Sequence, residues 1–182
     1  MRELRIAAVA VIAFTVVLGL AYPLAMTGVA QVAFPRAADG KTELIGKDYS
    51  KDASLFQSRP SVTGYAPDAT FFNNQGPNQR DLADQLKGYV DDYLKRERPF
   101  TPGLTAAKIP ADAVTTSASG VDPLISEDNA RIQANRVARE RGLSLQRVLV
   151  LIDDHVQQPL LGLGGPKSVN VVELNDALKE MR

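Results

Sequence analysis

The chain has no cysteine in 182 residues. That excludes disulfides and thiolate metal sites, and it suits an exported bacterial domain and a cytosolic one equally. Histidine is nearly absent as well: His155 stands alone and the carboxylates are scattered, so no ligand spacing of the H-E-x-x-H kind occurs. A charge of one sign is also missing. Lys+Arg and Asp+Glu number 21 each; setting aside Arg2, Arg5 and Glu3, residues 36–182 hold 19 against 20. A net charge near −1 there argues against nucleic acid as a partner. No internal repeat and no low-complexity linker is visible.

Catalytic patterns are absent too. Ser117 and Ser119 lie in Thr-Ser-Ala-Ser-Gly, without the G-x-S-x-G of a nucleophile elbow, and His155 beside Asp153 and Asp154 reads as a surface residue at a helix end. The segment Gly162–Ser168 lacks G-x-x-x-x-G-K-[ST], and Pro166 removes a backbone donor that a phosphate loop needs; it reads as a turn. An anchored hydrolase is therefore a weak alternative, and an anchored envelope binding or scaffold domain a better one.

What the sequence does contain is a run of thirty residues without a charge, Ile6–Pro35. About twenty apolar residues span a bilayer core, and signal-peptide apolar regions reach only about 7–15, so an uncleaved transmembrane helix over about residues 6–30 is expected. Arg2, Arg5 and the amino terminus place that end in the cytoplasm by the positive-inside rule, leaving the rest outside. Thr15, Gly19, Tyr22, Pro23 and Met26 share one face at three- and four-residue spacing, which suits either lipid or close approach by a partner helix. Pro23 cannot donate to Gly19, so the helix should loosen there. The expected organisation is 1–35 for the N-terminus and anchor, and 36–182 for one extracytoplasmic domain.

That domain is expected to begin irregularly, with short strands and loops over Arg36–Asn78, where turn formers punctuate aromatic runs including Phe71-Phe72-Asn73-Asn74. Leu82, Leu86, Tyr89, Val90, Tyr93 and Leu94 predict an amphipathic helix over Gln79–Glu97, ended by Pro99. A connector with Pro102, Gly103 and Pro110 leads to a strand running into a tight turn over Val114–Gly120. Ser126 caps a helix with Ala130, Ala134, Val137 and Ala138 inward that stops at Gly142. Ser144 caps the next, with Leu145, Val148, Leu149 and Ile152 buried; a strand at Val169–Val172 and a helix at Glu173–Met181 close an α+β domain. Arg131, Arg136, Arg139, Arg141 and Arg147 form either a solvated face or a docking surface.

The chain resembles the C subunit of the bacterial and archaeal Kdp-type potassium-transporting ATPase over nearly its whole length. Tyr22-Pro23-Leu24, Phe34-Pro35, Leu44-Ile45-Gly46, Phe56, Arg59-Pro60-Ser61 and Tyr65 carry the first half. Thr116–Pro123 with Ile125-Ser126, Arg136-Val137-Ala138, Gln157-Gln158-Pro159-Leu160 and Val169–Leu178 carry the second. The resemblance implies a non-catalytic subunit in the plasma (inner) membrane, with one helix and an outer domain. Its implied partners are a channel-like potassium-binding subunit (KdpA), a P-type ATPase subunit (KdpB) and a small single-helix subunit (KdpF). It further implies a catalytic-chaperone role that raises the pump's affinity for ATP, tied to Gln158 with Gln157 beside it; K+ is the transported ion and ATP the fuel of the complex.

Overall fold

The computed structural model describes residues 2–34, 44–69, 74–159 and 165–181. The chain divides into two compact units, Met1–Thr42 and Glu43–Arg182. It is an α+β protein with a single N-terminal apolar helix.

The first unit is α1 (Arg2–Val16) and α2 (Tyr22–Ala33), continuous through a π-helical turn at Val17–Ala21. Together they give one 32-residue helix of mean hydropathy 2.4, long and apolar enough to cross a membrane. The π turn lies where Pro23 deletes a backbone donor: the Tyr22 amide reaches back to Val17 O, and Thr27 Oγ1 donates to Pro23 O at 2.8 Å.

The second unit contains α3 (Arg80–Glu97), α4 (Glu127–Arg141), α5 (Leu145–His155) and α6 (Val171–Glu180), around a small sheet of β1 (Leu124–Ser126), β2 (Val156–Gln157) and β3 (Ser168–Asn170). Strand order is β1-β3-β2, antiparallel throughout; Ile125 pairs with Val169, and Val156 faces Val169 from the other side. One core joins Phe56, Ile125, Ala134, Val137, Val148, Ile152, Val169, Leu174 and Leu178. A smaller one joins Tyr93, Leu104 and Ala113.

Helix ends are decided locally. Ser126 Oγ accepts from the Asn129 amide at 3.2 Å, and Ser144 Oγ from the Arg147 amide at 3.3 Å. At the corner between α4 and α5, Gly142 takes φ +65 while Leu143 N donates to Ala138 O and Gly142 N to Arg139 O, a Schellman ending that requires a residue at ease in the left-handed region.

Several sequence expectations are corrected. No strand occurs in the described part of residues 36–78; residues 44–69 are turns and irregular chain, held by Asp48 and Asp52 carboxylates accepting from the Ser50 and Ser54 amides. Residues 35–43, Phe71–Asn73 and most of the Gly162–Gly165 loop lie outside the described residues. Over Val114–Gly120 the expected tight turn forms but the strand before it does not, because Ser117 and Ser119 hydroxyls capture the Gly120 and Val121 amides that a ladder would use. The expected strand at Val169–Val172 is cut after Asn170, whose side chain caps α6 by accepting from the Val172 and Glu173 amides. Leu145 is 40% exposed, since the buried face of α5 runs through Val148 and Ile152.

Candidate functional site

The described residues contain no group of three or more His, Cys, Asp or Glu able to hold a metal. The Ser117 and Ser119 hydroxyls lie 3.3 Å apart within their own turn, and His155 Nδ1 bonds to Leu151 O at 2.8 Å, so each is engaged locally. What the fold assembles in place of such chemistry is a junction of the sequence blocks that carry the resemblance.

Arg59 NH1 meets Asp122 Oδ2 at 3.0 Å, a half-buried ion pair. Ser61 Oγ donates to Gly120 O at 2.6 Å, Thr63 Oγ1 to the same carbonyl at 3.3 Å, and the Tyr65 hydroxyl to Arg59 O. Gly46 N donates to Val121 O at 2.7 Å. A Cβ on Gly46 would come within 2.7 Å of Asp122 O and 2.8 Å of the Tyr65 ring, so only glycine allows this approach. The Leu-Ile-Gly, Arg-Pro-Ser and Thr116–Pro123 segments, far apart in sequence, are thus one physical unit.

Against this unit α3 closes a cleft of about 230 Å³, walled by Tyr49, Tyr65, Tyr89 and Tyr93 and carrying Asp48 and Asp92. Burial pushes the Tyr65 phenol up to about 12, and raises Tyr49 and Tyr93 as well. The folded state therefore favours neutral Tyr65. Its contribution to stability is complete below pH 10, where the unfolded phenol is also neutral, and is lost as pH rises toward 12. Alkaline melting of the purified protein, followed by tyrosinate absorbance and circular dichroism, should show stability falling over that window. In Tyr65→Phe the fall should be shallower.

Beneath the cleft lies a second feature, a buried polar chain. Arg136, 1% exposed, donates from Nε to Glu97 at 3.0 and 3.2 Å, from NH2 to Gln133 at 2.9 Å, and from NH1 to Ala53 O and Leu55 O. Gln133 Oε1 accepts from Gln57 N at 2.7 Å and its Nε2 donates back to Gln57 O; Asn175 does the same for Phe56 N and O at 2.8 and 2.9 Å. Side chains of α4 and α6 thus serve the backbone of residues 53–57 as a neighbouring strand would. Asn129 extends the chain, accepting from the Tyr93 hydroxyl at 2.9 Å and donating to Asp112 at 2.9 Å.

Arg136 accordingly does not belong to a solvated or docking arginine face. The signal was present: Asn129, Gln133, Arg136 and Val137 recur at helical spacing on the face that buries Ala130 and Ala134. Among the other arginines, Arg131 pairs with Glu127 and Asp153, and Arg139 lies 5.5 Å over the Phe100 ring. Gln157 and Gln158 are both exposed; Gln157 ends β2, opposite Ser168. Thr15, Gly19, Tyr22, Pro23 and Met26 are exposed on the apolar helix, and a Cβ at Gly19 would meet only Thr15 Cγ2, at 3.9 Å. Sequence reasoning did not find Asp48, Tyr49 and Asp92 as cleft residues; the spacing of Tyr89, Asp92, Tyr93 and Arg96 along α3 was the available cue.

Residues 4–180 match the family model described as "KdpC: K+-transporting ATPase, c chain". A potassium-transporting ATPase KdpC subunit of Caulobacter vibrioides (strain NA1000 / CB15N) is 49% identical, covering 97% of this chain and 92% of the relative. The Rhodopseudomonas palustris (strain BisB18) subunit is 40% identical over 98% of both chains, and that of Rhodospirillum rubrum 40% identical over 99% of this chain and 96% of its own. Both the anchor and the junction of Gly46, Arg59–Tyr65 and Thr116–Pro123 fall within the matched span, and the chain belongs to the KdpC family, the c chain of K+-transporting ATPases.

Proposed function

We propose that the chain is a non-catalytic accessory subunit of an ATP-driven potassium-uptake complex in the plasma membrane, with its N-terminus cytoplasmic and residues 36–182 outside. The observation that carries this reading is the Arg2–Ala33 helix, long and apolar enough to cross a membrane and without a buried residue, in a protein matched almost end to end to the family. An apolar helix exposed on every side calls for lipid and a partner helix. One helix encloses no pore and carries no charged side chain between Ile6 and Ala33, so its contribution to ion movement is made through contact.

The partners of this reading are the potassium-binding channel-like subunit (KdpA), the P-type ATPase subunit (KdpB) and the small single-helix subunit (KdpF). The face of Thr15, Gly19, Tyr22, Pro23 and Met26 packs on the potassium-binding subunit, while the outer domain covers or shapes its external entrance. The nucleotide role of Gln157 and Gln158 follows from the same reading, with a constraint. This orientation puts Gln158 across the bilayer from cytoplasmic ATP, so any effect on ATP affinity travels through a partner's conformation.

A tagged copy purified in mild detergent should bring the two large subunits with it. Gly19→Leu, which places a bulky chain where another helix approaches, should reduce their recovery several-fold while the domain stays folded by circular dichroism. Unchanged recovery would sink the packing face; absence of the large subunits from the unmodified preparation would sink the accessory-subunit reading.

A further inference from the structure

The tyrosine cleft has no part in anchoring, and its composition is specific. Four of the chain's five tyrosines line it, from two loops and one helix face. Three of their hydroxyls are bonded within the protein: Tyr65 donates to Arg59 O, Tyr93 donates to Asn129 Oδ1, and Tyr89 accepts from Gln85 Nε2 at 3.2 Å. Tyr93 is 1% exposed with Arg96 over its ring, so the ring surface the wall offers comes from the partly exposed Tyr49, Tyr65 and Tyr89. Its two arginines are also engaged. Arg59 pairs with Asp122; Arg96 stacks 5.2 Å over the Tyr93 ring and shares the single buried Glu97 carboxylate with Arg136, so the lining sets one surplus Arg96 charge against the two carboxylates of Asp48 and Asp92. Asp48 and Asp92 are different: both are exposed, and neither joins an ion pair among the described residues. Among the described residues Asp48 accepts only from Ser50, whose hydrogen bonds hold its carboxyl below the ordinary carboxylate range.

Aromatic faces beside unpaired carboxylates attract a cation twice, through the ring quadrupoles and through charge. The lining holds no dedicated phosphate, metal or nucleotide donors, and tyrosine with arginine is the composition of interface hot spots. A cleft of about 230 Å³ is the size for one long side chain, not for a folded element. We propose that this cleft receives a single lysine or arginine side chain from an outward-facing loop of a partner subunit, gripped between the rings of Tyr49, Tyr65 and Tyr89 and neutralised by Asp48 and Asp92. The inference rests on the accessory-subunit reading and adds to it a second, water-exposed attachment point.

The test places benzoylphenylalanine at Tyr89 in the full-length chain and irradiates the detergent-purified complex. The expected result is a cross-link to a partner-subunit peptide containing Lys or Arg, with a yield that falls several-fold in Asp48→Asn/Asp92→Asn and in high salt. The double variant keeps both side-chain shapes and should retain the wild-type circular dichroism spectrum. Cross-linking confined to the chain itself, with the complex intact, overturns the inference and leaves the accessory-subunit reading standing. A partner cross-link with undiminished yield in the double variant overturns the cationic occupant. Failure of the unmodified chain to purify with any large subunit overturns both.

Discussion

Arg136→Ala should destabilise the second unit, Glu43–Arg182, by about 3–5 kcal/mol, the range for breaking a buried ion pair by removing one partner. Glu97, 0% exposed, would lose its fully buried counter-charge and keep only Arg96, whose side chain is 35% exposed. The carbonyls of Ala53 and Leu55 would lose their donor at the same time. Burial depresses the Arg136 guanidinium and Glu97 opposes that, so the pair is held by balance, not by a large surplus. Small domains hold only about 5–15 kcal/mol in total, so the variant should melt at a much lower temperature or fail to accumulate. The double change Arg136→Met/Glu97→Gln tests the cause. With no charge left in the core it should recover part of the loss, and thermal unfolding by circular dichroism reads both variants. If Arg136→Ala melts like the wild type, the buried network does not organise the domain.

Asn175→Ala carries the second large effect. Among the described residues its amide is the only hydrogen-bonding partner of both the amide and the carbonyl of Phe56, a residue with no exposed surface. Each stranded buried group costs about 1–3 kcal/mol, and the two together approach the cost of a core cavity. Asn175→Asp separates hydrogen bonding from packing. The carboxylate still accepts from Phe56 N, but it cannot donate to Phe56 O and sets negative charge against a carbonyl. It should therefore be nearly as damaging at neutral pH as alanine, and milder in acid, where the protonated carboxyl can donate. Denaturant unfolding at the two pH values distinguishes the cases; equal loss at both would mean that packing alone matters at this position.

Both predictions concern groups whose importance is invisible locally. Asn175 acts on a residue 119 positions away and Gln133 on one 76 away. The residues they serve, 53–57, have the turn formers and aromatics of a segment expected to hold short strands. No strand forms there. A strand satisfies its N–H and C=O groups with another backbone, whereas here helix-borne amides and a guanidinium take that place. The error at Val114–Gly120 has a related source: β-branched residues suggested a ladder, but the serine hydroxyls that follow bind the backbone first. At Val169–Val172 the pattern of apolar residues was right and the cap within it, Asn170, was overlooked.

The sequence by itself determined whatever depends on neighbours along the chain. The uncharged run defines the apolar helix, Pro23 its loosened turn, and Ser126, Gly142 and Ser144 the ends of two helices, because hydropathy, missing donors and caps act within a few residues. The ordered blocks of the family were legible for the same reason. Tertiary structure alone decided that Arg136 is a core residue, that Gly46, Arg59 and Gly120 meet in one junction, and that four tyrosines share one cleft. Those facts depend on which distant groups satisfy a buried polar atom, and burial raises the cost of each mismatch to a magnitude that no local propensity can outweigh.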